Sequence, residues 1–224
     1  MATVALAAAA MLVIASGWWT LLASRSGHAD VRNPDVSVTR TRVWTWFFAG
    51  EIGKYVPGTV WPILGRGELA VRGGVPRREA YRSVFHSLAL FYLACAAVAA
   101  LLLPWTYVLL AVAAVVAARF LPVHIALRYL PAWALIGTAT WTVARALDPD
   151  APFVGVVAAA AASWLAGFLA VPVPGGVGVR EAVFVALAPT MAPGVAETTA
   201  VAVRVAFVGV DALAALVSWH RLRR

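Results

Sequence analysis

Charge and cysteine are both scarce in this chain, and each scarcity removes a class of function. Of 224 residues, 12% are charged and 62% hydrophobic, with a mean hydropathy of +0.85. A soluble domain carries about 25% charged residues, so a polytopic membrane protein is expected instead. The lone cysteine, Cys95, lies inside an apolar run, which excludes a disulfide framework, a CxxC pair and a Cys/His zinc cluster. Acidic residues number 10 against 18 basic ones, a formal charge of +8. The basic residues fall in short connections between apolar runs and form no continuous basic face, so nucleic acid is not an expected partner. They read as topology signals and as contacts for anionic lipid. There is no G-x-S-x-G, HExxH, Walker loop or DxxD pair, and Gly176-Val177-Gly178 lacks the soluble strand and downstream acid of a dinucleotide loop. Catalytic residues, a metal and a cofactor are therefore not expected.

What is present is a succession of membrane-length runs. An apolar helix spans a bilayer with about 20 residues, and residues 2–23 satisfy that length. A cleaved signal peptide is disfavoured there, because residues 1–24 contain no Lys or Arg to form a positive n-region. Further crossings are expected over 83–103, 106–121, 129–147, 152–171 and 198–218, together with a broken segment over 172–193. Arginine-rich connections over 24–42 and 65–82 both read as cytoplasmic, so the Trp-rich run 43–64 between them cannot cross once. It is expected to dip in as a re-entrant pair of short helices or to lie at the interface. With His220, Arg221, Arg223 and Arg224 inside, the result is an all-α protein of one integral domain over 1–224, with about seven crossings and a cytoplasmic C-terminus.

Two proline-glycine breaks interrupt this pattern, Lys54-Tyr55-Val56-Pro57-Gly58 and Pro172-Val173-Pro174-Gly175-Gly176-Val177-Gly178-Val179-Arg180-Glu181. In hydrocarbon a broken helix survives only where protein or a wet cavity satisfies its free backbone groups. Paired breaks in the two halves of a membrane chain point to a substrate site. Gly175, Gly176 and Gly178 strip side chains from a helix start that presents Arg180 and Glu181, a setting suited to phosphate or carboxylate. The alternative is a plain kink whose Arg180 and Glu181 pair across a helix interface. In the first break, Glu51 lies on the face of Lys54 and could neutralise it until an anionic head group displaced the carboxylate; a snorkelling Lys54 is the bland alternative. Arg204 and Asp211 are two turns apart, on one face with Val201 and Val208, and must point to the protein interior or to water.

Lys54-Tyr55-Val56-Pro57-Gly58-Thr59-Val60-Trp61-Pro62 with Gly65-Arg66, and Pro174-Gly175-Gly176-Val177-Gly178-Val179-Arg180-Glu181-Ala182, resemble the transmembrane region of the bacterial lysylphosphatidylglycerol synthase/flippase family. The resemblance runs from about residue 40 to the C-terminus and includes Arg204 and Asp211. It implies a bacterial cytoplasmic-membrane protein that moves lipid between leaflets, and stand-alone members accompany glycosyltransferases. The family's soluble aminoacyl-tRNA-dependent transferase domain is absent here, so lysyl-lipid synthesis is not implied. Members usually carry more sequence before the first motif than the 53 residues here.

The leading expectation is a lipid translocase or lipid-binding transporter for an anionic phospholipid or polyprenyl-linked lipid. Its site would comprise Lys54, Tyr55, Pro57, Gly58, Arg66, Gly175, Gly176, Gly178, Arg180, Glu181, Arg204 and Asp211. The alternative is a membrane subunit that moves nothing and recruits or regulates a separate lipid-modifying enzyme or glycosyltransferase. Oligomeric state has no sequence signal.

Overall fold

The computed structural model describes residues 1–26, 38–57, 60–102, 123–188, 191–192 and 194–223. The crossing expected over 106–121 lies outside these residues, as do Gly58, Pro189 and Pro193. All regular structure among the described residues is helical: α1 (Ala2–Ser26), α2 (Arg40–Glu51), α3 (Trp61–Arg72), α4 (Arg77–Leu102), α5 (Leu130–Leu147), α6 (Phe153–Leu169), α7 (Val179–Leu187) and α8 (Val195–Leu222). Among them, Ala2–Ala23, Arg77–Leu102 and Val195–Leu222 are long and apolar enough to cross a membrane, and Phe153–Leu169 is a shorter apolar helix.

Small residues bring the long helices together. Ala7, Ala10 and Ala15 on α1 are fully buried, as are Ala132 and Ala139 on α5, against which α1 packs. In lipid there is no hydrophobic drive between helices, so close van der Waals approach and interhelical hydrogen bonds must hold them. Both are present. A Cβ on Gly17 would lie 2.5 Å from the Tyr129 ring, so only glycine admits that aromatic against α1. Trp18 Nε1 donates to Ser83 Oγ on α4 at 2.9 Å, and Trp133 Nε1 on α5 donates to the Phe91 carbonyl at 3.1 Å. Around these bonds Phe91 stacks on Trp133 and meets Trp164 of α6 edge-on. The core is thus a set of tryptophan and phenylalanine rings set between alanine-lined helices, with the Trp18 and Trp133 N–H groups tying neighbouring helices together.

Residues 43–64 do not form a single continuous helix. Thr39 caps α2, Ile52–Tyr55 tightens into a 3-10 turn, and the chain re-enters a helix at Trp61-Pro62, with proline in the first turn where its missing N–H costs nothing. The two helices pack antiparallel so closely that a Cβ on Gly50 would lie 2.9 Å from the Arg66 nitrogen. The second helix runs well past residue 64, however, and Arg66, expected in a cytoplasmic connection, is buried within it. The reason is local: Glu51 pairs with its guanidinium, and the Phe47 ring lies 4.0 Å beneath it. A charged residue with both partners tolerates the interior. Trp219 Nε1 then ties α8 to the end of this hairpin through the Ala49 carbonyl at 3.2 Å.

Candidate functional site

The two breaks meet. The Gly175 position lies within 3.6 Å of the Lys54 carbonyl and the Tyr55 ring, and Arg204 on α8 donates from Nη2 to the Gly175 carbonyl at 2.8 Å. Their contact encloses a partly open cavity of about 60 Å³, lined on its polar side by Lys54, Tyr55, Gly175, Arg180, Glu181 and Arg204.

Each side chain is held by the element that carries it. Lys54 and Tyr55 come from the 3-10 turn that closes the first hairpin. The Lys54 ammonium sits 2.9 Å from Glu51 Oε1, the pairing expected from their spacing, and 2.7 Å from Asp211 Oδ2. The Tyr55 hydroxyl donates to the same Asp211 oxygen at 2.7 Å, joining residues 156 positions apart. Asp211 is itself fully buried, so it reaches the cavity only through Lys54 and Tyr55. Arg204 and Asp211 both turn inward on α8, while Val201, expected on the same face, is 54% exposed.

The second break is shaped by glycine. Gly175, Gly176 and Gly178 have φ of 57°, 67° and 80°, a left-handed region costly for other residues. Gly176 also abuts α6: a Cβ there would lie 2.6 Å from the Gly167 Cα. A Cβ on Gly167 would in turn lie 2.4 Å from the Arg180 Cγ. This pair of glycines lets Arg180 lie flat across α6, with its guanidinium 4.2 Å from the Trp164 ring. The helix start itself is occupied: the Gly178 amide donates to Glu181 Oε2 at 2.6 Å, and the other Glu181 oxygen pairs with Arg204. The Gly178 amide, one of those expected to face an anion, is thus taken by Glu181. Beside it stands Arg180, which forms no ion pair among the described residues.

Among the described residues, Lys54, Arg66 and Arg204 have carboxylate partners, Arg180 forms no ion pair, and its Nε is buried without a hydrogen bond. Four cations therefore face three carboxylates, Glu51, Glu181 and Asp211. A second cavity of about 60 Å³ shares Lys54, Trp164 and Arg180 with the first and adds Arg66, Glu51 and Tyr92. Arg66 belongs to that second cavity, not the first. Pro57 is exposed in the turn, where its carbonyl accepts from Trp61 Nε1 at 2.8 Å, and it lines neither cavity. Sequence reasoning did not find Trp164, Gly167, Thr140 and Ser163, which lie within apolar runs. A Gly-Phe-Leu end to α6 facing an arginine has no spacing signature, so only three-dimensional packing shows it.

Residues 122–218 match the family model of the lysylphosphatidylglycerol synthase TM region. That stretch, less than half of the chain, is similar to this family. The matched stretch contains the second break, Arg180, Glu181, Arg204 and Asp211, whereas Lys54 and Arg66 precede it. No curated protein and no solved structure matches the chain. This similarity and the long apolar helices together support a multi-pass membrane protein, and the similarity points to lipid metabolism or transport.

Proposed function

We propose that the protein is a lipid translocase, or a lipid-binding transporter, that holds the anionic head group of a membrane lipid between its two breaks. The observation that carries this reading is Arg180, a cation in the wall of the cavity with no carboxylate of its own among the described residues. Arg180 is half-buried with its Nε shut off from water, and a cation withdrawn from water without a counter-ion is costly; an incoming phosphate would supply one. Lys54 then serves as the second contact by exchange. Its ammonium already bridges Glu51 and Asp211, so a phosphate oxygen takes the place of one carboxylate on the same ammonium. Exchange of equivalent partners keeps both the bound and the released states within reach, as transport requires. The bacterial cytoplasmic membrane, with the C-terminus inside, is the setting we assign from the basic connections.

Reconstituted protein tested alone for movement of labelled phosphatidylglycerol across liposomes addresses the proposal. Arg180→Gln strands no carboxylate, so it should insert and fold as the parent does while lipid movement falls to the protein-free rate. Wild-type movement in that variant would refute the anion-site reading. A parent protein that moves no lipid until a glycosyltransferase or lipid-modifying enzyme is added would instead favour a recruiting subunit.

A further inference from the structure

The cavity has a second, apolar side that the head group leaves unused. Ala200, Val203, Arg204, Phe207 and Val208 form one stripe of α8 at helical spacing, and all five line the cavity. Phe184 of α7 closes on the same stripe, and it is buried together with Val203 and Phe207. Val208 differs: it lines the cavity and is 38% exposed on the outer surface of a helix long and apolar enough to span the bilayer. Its neighbours Val201 and Val205, 54% and 65% exposed, mark that surface as one that meets hydrocarbon. The rim therefore has a polar part, where Arg204 and Glu181 side chains are each 21% exposed, and an apolar part at Val208, one turn away on the same helix.

We propose that the hydrocarbon chain of the bound lipid leaves the cavity through a lateral window beside Val208, with Phe184 and Ala200 setting how thick a chain can pass. This rests on the anion-site reading above and identifies the ligand as a lipid-borne phosphate rather than a free one. An amphiphile whose phosphate lies at Arg180 must lead its tail somewhere, and its methylenes are more stable away from water and polar protein. The apolar rim meets that requirement, whereas the polar rim would place methylenes against Glu181 and Arg204.

Two probes separate the sources of phosphate: dioleoyl phosphatidylglycerol, and glycerophosphoglycerol, which is the same head group without chains. Binding of each to the purified full chain in neutral detergent is measured for Val208→Trp and for Val205→Trp, a control on the lipid-facing surface away from the cavity. The expected result is at least a tenfold loss of dioleoyl phosphatidylglycerol affinity in Val208→Trp alone, with glycerophosphoglycerol binding unchanged. Parental lipid affinity in Val208→Trp overturns the window, and if Arg180→Gln still abolishes binding, the anion site stands without it. Parental binding in both Val208→Trp and Arg180→Gln overturns both readings. Should the tryptophan variant misfold, Val208→Cys serves in its place, because the native Cys95 is buried and the new thiol is the reactive one. Dioleoyl phosphatidylglycerol should slow maleimide labelling of Val208→Cys but not of Val205→Cys, and equal labelling rates would overturn the window.

Discussion

Asp211 is the residue on which both halves of the chain converge. Its carboxylate accepts from Tyr55 and pairs with Lys54, so it competes with any lipid phosphate for the lysine. Replacing it with asparagine removes one negative charge from the site while keeping an oxygen for the Tyr55 hydroxyl. Asp211→Asn should therefore tighten binding of phosphatidylglycerol by about tenfold, or about 1.4 kcal/mol, because the competitor is gone. The same change should slow transbilayer movement, since release depends on a carboxylate reclaiming the ammonium. A lipid titration of the purified variant, set beside its flipping rate in liposomes, checks both halves of this expectation. Weaker binding in Asp211→Asn would show that the carboxylate assembles the site rather than competing for it. Tyr55→Phe is the milder companion. It deletes a hydrogen bond to a charged group, worth about 1.5–3 kcal/mol in net stability, and should lower the unfolding midpoint while leaving lipid affinity nearly unchanged.

At the scale of elements, the glycine break between α6 and α7 sets where Arg180 lies, and its glycines are not equivalent. Gly176 has both a positive φ and no room, with Gly167 against it, whereas Gly178 has a φ of 80° and open space where a Cβ would be. Gly178→Ala should cost about 1–2 kcal/mol, the ordinary strain of a left-handed residue. Gly176→Ala adds a backbone collision at 2.6 Å and should push α7 off α6, so its loss of stability should clearly exceed that of Gly178→Ala and lipid movement should vanish. Thermal unfolding of the two variants in detergent measures the difference, and equal losses would show that the collision is relieved by movement elsewhere. These breaks were legible in the sequence because proline and glycine clusters have no other use inside apolar runs. The depth of Arg66 was not. Arginine in a polar-looking stretch reads as a loop, and its burial depends on Glu51 and Phe47 arriving from a separate helix. The capping of α7 was missed for a related reason: the sequence places Glu181 at the helix start but does not say whether its carboxylate faces the amide or a ligand.

The whole molecule is organised so that a hairpin from the first third of the chain and a helix from its end share one ion-pair network. Sequence alone placed Lys54 and Asp211 in membrane-grade segments and implied an inward face for Asp211, because charge in hydrocarbon is rare without a partner, while leaving Lys54 free to snorkel. It could not pair them, since no periodicity links residues separated by five described helices, α3 to α7. The pairing makes a quantitative demand on the fold. Removing Lys54 alone, as in Lys54→Met, leaves Asp211 buried with the Tyr55 hydroxyl and no cation partner among the described residues, whereas Glu51 keeps Arg66. Breaking one side of a buried pair costs about 3–5 kcal/mol. Adding Asp211→Asn removes the stranded charge, so the double variant should recover most of that stability. Recovery of stability need not bring recovery of function, because the double variant still lacks the lysine that exchanges partners with the lipid. Unfolding midpoints of the parent, the two single variants and the double variant form a cycle that reads the coupling directly. A coupling near zero would mean that the first hairpin and α8 are not joined by this ion pair. A large coupling with full lipid movement in the double variant would keep the fold and remove Lys54 from the transport path, leaving Arg180 as the cation that holds the lipid.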